Sequence, residues 1–123
     1  MMRFSLFALA AAVFAGAANA QLISPSPSSG IGLNPLVQYT RPGRSSFDTS
    51  FINVTLHNAT FSAPLTPTPQ FSSNDTETAE GRVNVSINVF KEGNYKFTVV
   101  ETDPRTKSIL STTSYLVTLD YDI

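Results

Sequence analysis

The chain has 123 residues, 41% hydrophobic and 14% charged, with eight Lys and Arg against nine Asp and Glu. It contains no Cys, no Trp and a single His. Thiol chemistry, disulfides and Cys-type zinc sites are excluded. Without an excess of basic side chains to neutralise phosphates, a nucleic-acid partner is not expected.

Residues Met1–Ala20 have the form of a secretory signal peptide. A lone positive charge at Arg3 precedes an apolar run from Phe4 to Ala18, and Ala18-Asn19-Ala20 is a small-x-small cleavage site. The run is short and Ala-rich for a membrane span, the alternative being an uncleaved signal anchor. Cleavage leaves Gln21–Ile123, one domain of 103 residues carrying seven Lys and Arg against nine Asp and Glu. No membrane segment or lipid anchor is expected after cleavage. Small secreted domains often rely on disulfides. This one must stand on burial alone, which is feasible at about 100 residues.

In the mature chain, Leu22–Pro35 is rich in Ser, Pro and Gly. Pro25, Pro27 and Pro35 remove ladder donors, so at most an edge strand runs here. Leu36–Thr40 is a short strand candidate ended by the turn signal Arg41-Pro42-Gly43. Over Ser50–Thr60 the residues alternate, with Ile52, Val54 and Leu56 on one face and Asn53, Thr55 and His57 on the other. Period two is the strand period, and this segment reads as strand B of a sandwich. Ala63–Glu80, with three prolines and a polar run, is the least regular part. Thr60–Leu65 and Gln70–Ser72 are weak strand candidates, and the rest is expected to be a long loop, disordered or covered by glycan.

Gly81–Leu119 carries the strongest pattern. Val83, Val85, Ile87 and Val89 alternate with polar residues and predict a strand over Arg82–Phe90. Lys91-Glu92-Gly93-Asn94 reads as a turn. A second strand places Tyr95, Phe97 and Val99 on its core face. Thr102–Lys107, with Asp103-Pro104, is the next turn. The last strand puts Tyr115, Val117 and Leu119 inward, with its polar first half, Ser111–Ser114, an edge or a bulge. This order resembles the E, F and G strands of immunoglobulin-like and fibronectin type III-like sandwiches. Gly93-Asn94-Tyr95 is similar to their Gly-x-Tyr, which implies a Tyr hydroxyl bonded back to the E–F corner; otherwise Tyr95 is a core aromatic at a strand start. The fold expected is all-β, an immunoglobulin-like antiparallel β-sandwich of about seven strands.

Four N-x-Ser/Thr sequons, at Asn53, Asn58, Asn74 and Asn84, stand behind the signal peptide and predict N-glycosylation. Two of them, Asn53 and Asn84, fall on the polar faces of their expected strands. Catalytic candidates are few. His57 has no second His beside it for a metal, and the mature N-terminus is Gln21, so no N-terminal histidine clamp exists. No Gly-x-Ser-x-Gly elbow occurs. Asp75, Glu77 and Glu80 lie in the polar loop and Glu92, Glu101 and Asp103 at turns, none in an evident apolar pocket that would raise its pKa. Asp120 and Asp122 read as solvated charge. No catalytic residue, metal or cofactor is expected. Phe61, Phe71, Phe90 and Tyr121 fall on no obvious core face. The layout as a whole resembles small secreted sandwich proteins of filamentous fungi. That resemblance implies an extracellular or cell-wall location and a non-catalytic role in binding wall polysaccharide or an extracellular protein. The alternative is a small carbohydrate binder or a glycan-active hydrolase using loop carboxylates. The Phe61–Glu80 connection and the Asp103–Lys107 turn are the expected contact segments.

Overall fold

The computed structural model describes residues 20–123; the expected signal peptide lies outside the described residues except for Ala20. Nine strands are present among the described residues: β1 (Gln21–Ser24), β2 (Gly30–Ile31), β3 (Leu36–Thr40), β4 (Phe51–His57), β5 (Ser62–Leu65), β6 (Gln70–Phe71), β7 (Thr78–Arg82), β8 (Gly93–Asp103) and β9 (Ser108–Leu119). Seven of them are four residues or longer. They form two packed sheets, one ordered β2-β9-β8-β4-β5 and the other β1-β3-β7-β6. All pairs are antiparallel except β2 with β9.

The order is that of an immunoglobulin-like sandwich, with β1, β3, β7 and β6 standing where strands A, B, E and D stand, and β4, β8 and β9 where C, F and G stand. Strand identity therefore differs from expectation in one respect. Phe51–His57 pairs with β8, not with β7, so it is the C strand, and Leu36–Thr40 is B.

The core lies between the sheets and comes from the alternating strands. Val37 and Tyr39, then Ile52, Val54 and Leu56, then Tyr95, Phe97 and Val99, then Val117 and Leu119 are all buried. Tyr115 is half-buried, its hydroxyl donating to the Pro25 carbonyl. A register shift falls between Ile109 and Ser111, just before the Ser111–Ser114 segment expected as an edge or a bulge, which itself pairs continuously with β8.

The strand expected over Arg82–Phe90 does not form. Val83 and Val85 are buried, and their N–H groups donate to Pro35 and Leu33 carbonyls. The chain then leaves the sheet. Val89 and Phe90 N–H groups both bond the Ser86 carbonyl, at 3.0 and 2.9 Å, closing a turn over Ile87–Val89. Ile87 and Val89 consequently face solvent, 52% and 49% exposed, and Phe90 takes the core place instead. Its ring packs edge-on between Phe61 and Tyr95, at centroid distances of 5.4 and 5.7 Å.

The real E strand is β7, inside the segment expected to be loop. Its inward residues are Ala79 and Gly81, opposite Tyr39 and Val37. Small side chains there make room for Tyr39 and carry almost no hydrophobic alternation. The weak candidates Thr60–Leu65 and Gln70–Ser72 form as β5 and β6, and with the start of β7 they replace much of the expected Ala63–Glu80 loop. The corner expected at Tyr95 is present: its hydroxyl donates to the Lys91 carbonyl at 2.6 Å, just after the turn that Gly93 closes at φ +148°.

Candidate functional site

Register puts three connections at one end of the sandwich: Arg41–Ser50 between β3 and β4, Ser72–Glu77 between β6 and β7, and Pro104–Lys107 between β8 and β9. A charged cluster is buried beneath them. Glu101, expected at a turn, sits instead within β8 opposite Ile52 and Ser111, with no exposed surface. The Tyr39 hydroxyl donates to its Oε1 at 2.6 Å and the Ser50 hydroxyl to its Oε2 at 2.7 Å. Arg41 Nε reaches both oxygens, at 2.9 and 2.8 Å. The cluster joins the two sheets, because Tyr39 belongs to one and Glu101 to the other.

Arg44 holds the first connection in shape. Its Nε donates to Ser50 Oγ, one terminal nitrogen to the Thr76 carbonyl at 2.8 Å, and the other to the Ser50 and Asp48 carbonyls. The guanidinium carbon stands 3.5 Å from the centre of the Phe71 ring, a cation–π contact. Burial pushes the Arg44 guanidinium below its ordinary pKa, with Glu101 and then Asp48 pulling the other way. Burial and then the bond to Glu101 hold the Tyr39 hydroxyl well above the usual tyrosine range. Both Glu101 carboxylate oxygens accept from protein donors, and each Arg44 nitrogen donates to the Asp48–Ser50 segment or to Thr76, so the arrangement braces a loop.

What the brace presents is Phe47. Asp48 caps the turn by accepting from the Ser45 N–H at 2.9 Å, its own N–H returns to the Ser45 carbonyl, and Arg41 pairs with its carboxylate at 3.5 Å. Gly43 supplies the positive φ of +88° that the chain needs to enter the turn, and its N–H donates to Glu77. Phe47, inside this braced turn, is 88% exposed, more than any other large hydrophobic residue of the described chain. Sequence reasoning saw only a turn signal at Arg41-Pro42-Gly43. The signal available was a lone aromatic in the polar run Arg44–Ser50.

The expected site residues are scattered. Asn53, Asn58, Asn74 and Asn84 are all exposed. Asn53 is on the outer face of β4, whereas Asn84 lies just past β7 in an isolated bridge with Thr66. His57 is half-buried at the opposite end from Phe47, lining a depression of about 360 Å³ with Asn94, Lys96 and Leu116. The loop acids serve their own surroundings: Glu77 and Glu92 accept from Gly43 and Tyr121 N–H groups, Glu80 from Gln38, and Asp75 from Glu77. Asp103 accepts from Arg105, whose side chain holds the Asp103 carboxyl below its ordinary range. Asp120 accepts from the Asp122 N–H at 2.9 Å. Among the described residues, no three His, Cys, Asp or Glu side chains are placed to hold a metal ion.

Of the unplaced aromatics, Phe90 is core, Phe71 lies under Arg44, Tyr121 is half-buried with its hydroxyl on the Phe90 carbonyl, and Phe61 is 43% exposed. Among the described residues, no helix is long and apolar enough to cross a membrane.

No protein-family model matches the chain, and no curated protein matches it. Among solved structures it is similar to CopC from Methylosinus trichosporium OB3b, with a TM-score of 0.52 and 14% identity over 83% of this chain and 94% of that one. At that identity the likeness is one of fold: the nine-stranded sandwich has a solved counterpart of nearly the same extent.

Proposed function

We propose that this protein is a secreted, non-catalytic glycoprotein that acts by binding, through the loop end that presents Phe47. The observation that carries the reading is the pairing of an 88% exposed aromatic with a loop fixed from beneath by Arg44 and Glu101. An aromatic held outward on a rigid loop loses little conformational entropy on contact, which suits a binding anchor. The Pro104–Lys107 turn and the Ser72–Glu77 part of the Phe61–Glu80 connection share this end of the sandwich, so both expected contact segments contribute to the proposed surface. The partner class is a wall polysaccharide or an extracellular protein. Secretion rests on the Met1–Ala20 signal pattern, and glycosylation on four exposed sequon asparagines.

Carbohydrate binding is the second reading, supported by the same residue, since a bare phenyl face stacks on the C–H face of a sugar ring. Hydrolysis by loop carboxylates has less support, because each loop acid already accepts a local hydrogen bond. The test is binding of protein secreted from a eukaryotic host to chitin, β-glucan and mannan, and to an extracellular protein fraction, comparing wild type with Phe47→Ser. Loss of capture in the variant, with an unchanged melting temperature, supports the loop end. Equal capture by both proteins would place the contact elsewhere.

A further inference from the structure

Four sequons are exposed, but their surroundings differ. Asn58 closes its own turn, its Oδ1 accepting from the Thr60 and Phe61 N–H groups at 2.9 Å. Asn74 is in the Ser72–Glu77 connection, and Asn84 follows β7. Asn53 alone is inside a long strand. On β4 the residues Phe51, Asn53 and Thr55 occupy successive positions of the outer face, while Ile52, Val54 and Leu56 between them are buried. Neighbours on one strand face stand about 7 Å apart, close to the width of one sugar ring.

Phe51 is 40% exposed although it lies in a strand. Across the sheet, Thr102 and then Ile109 continue its row, and Val100 and Thr112 continue the row of Asn53. On the other side β5 ends at Leu65 opposite Val54, so it pairs with neither Phe51 nor Asn53. The result is an uncharged outer face, crossed by the bulge of β9, with a phenyl ring two residues before a sequon asparagine. The residues two before the other sequons are Leu56, Ser72 and Arg82, none aromatic.

We propose that Asn53 carries an N-linked glycan whose first N-acetylglucosamine lies on the Phe51 ring, so that the glycan is a built part of the outer face of the five-stranded sheet. The inference rests on the secreted-glycoprotein reading. During secretion Asn53 Nδ2 bonds to C1 of the sugar as the C1–O bond to the diphosphate of a lipid-linked donor breaks. The amide loses one proton and the lipid diphosphate leaves. The axial C–H groups of the sugar then meet the electron-rich face of the phenyl ring, and the exposed side of the Phe51 ring is removed from water.

The experiment is site-resolved mass spectrometry of the secreted protein, combined with melting temperatures before and after enzymatic deglycosylation. Wild type is compared with Phe51→Ser and with Phe51→Leu, which keeps apolar bulk if the first variant fails to fold. The expected result is occupancy at Asn53 and a melting temperature lowered by about 4 °C or more on deglycosylation, the scale of one good contact in a domain of this size. In both Phe51 variants that difference should vanish. Occupancy at Asn53 with no thermal difference, or with one that survives loss of the ring, overturns the stacking while leaving the glycoprotein reading in place. The same holds if Asn53 is bare while other sequons are occupied. A secreted protein with no glycan anywhere overturns both.

Discussion

Glu101→Gln tests whether the buried cluster is the brace described above. The substitution keeps the size and shape of the side chain and removes one charge. In the native protein the carboxylate accepts from Tyr39, Ser50 and, with both oxygens, Arg41, and Arg44 Nε lies 4.0 Å from Oε2. An amide in its place puts N–H groups toward at least one of these donors and removes the anion nearest both guanidinium groups, leaving Arg41 only Asp48 at 3.5 Å. Removing one partner of a buried pair costs about 3–5 kcal/mol, against a total stability of about 5–15 kcal/mol for a domain of this kind. At about 4 °C per kcal/mol the melting temperature should fall by roughly 12–20 °C. Urea denaturation followed by tyrosine fluorescence gives the midpoint and slope directly. The companion variant Arg41→Met/Arg44→Met/Glu101→Leu should recover part of the loss, because the buried carboxylate and both guanidinium groups go together, while the Tyr39 and Ser50 hydroxyls and the Thr76 carbonyl lose their partners. A Glu101→Gln midpoint within error of wild type would refute the reasoning.

Two further predictions follow from burial and protonation. Val85→Ala should cost about 2 kcal/mol by urea denaturation, while Ile87→Ala, on the solvent side of the turn, should stay within about 0.5 kcal/mol; equal costs would restore a strand through Ile87. Burial holds the Tyr39 hydroxyl above its ordinary range and pushes Tyr115 up to about 12. Both groups keep their protons in the folded state after the unfolded chain has lost them, so stability is full below about pH 10 and falls as pH rises toward 12. Tyr39→Phe should reduce that slope by up to about 1.4 kcal/mol per pH unit, read from urea midpoints at a series of alkaline pH values.

The sandwich was legible where hydrophobic period and strand coincide, and illegible where packing decides. Phe51–His57, Gly93–Asp103 and the core-facing half of β9 announce themselves through β-branched and aromatic alternation. The same rule failed at Ile87. Period two continues in the sequence to Val89, but the sheet needs only Val83 and Val85, and the chain must then turn to deliver Gly93 and Tyr95 to the corner. Alternation records which residues are apolar and not where the chain leaves the sheet. At β7 the failure is the reverse. Ala79 and Gly81 face the core because Tyr39 and Val37 fill the space opposite, and small residues give no alternation to read. Glu101 was hidden for a third reason. A charged residue near a hairpin reads as solvated, and only the meeting of Tyr39, Arg41, Arg44 and Ser50, from distant parts of the chain, makes it a buried acceptor.

That third case bears on function. A buried ionic cluster is poor evidence of a need for stability, since apolar side chains fill such a space as well or better. It is better evidence of a need for one conformation. Arg44 uses four of its five N–H donors on backbone and hydroxyl acceptors at Asp48, Ser50 and Thr76, which ties the Arg41–Ser50 connection to itself and to the Ser72–Glu77 connection. A greasy replacement would hold the sheets together and leave the loop several ways to run. The cluster therefore fixes what an apolar core could not, the position of Phe47 above the end of the sandwich. An exposed phenyl ring gains nothing for folding there, and a loop held in one shape around it is what a binding surface requires.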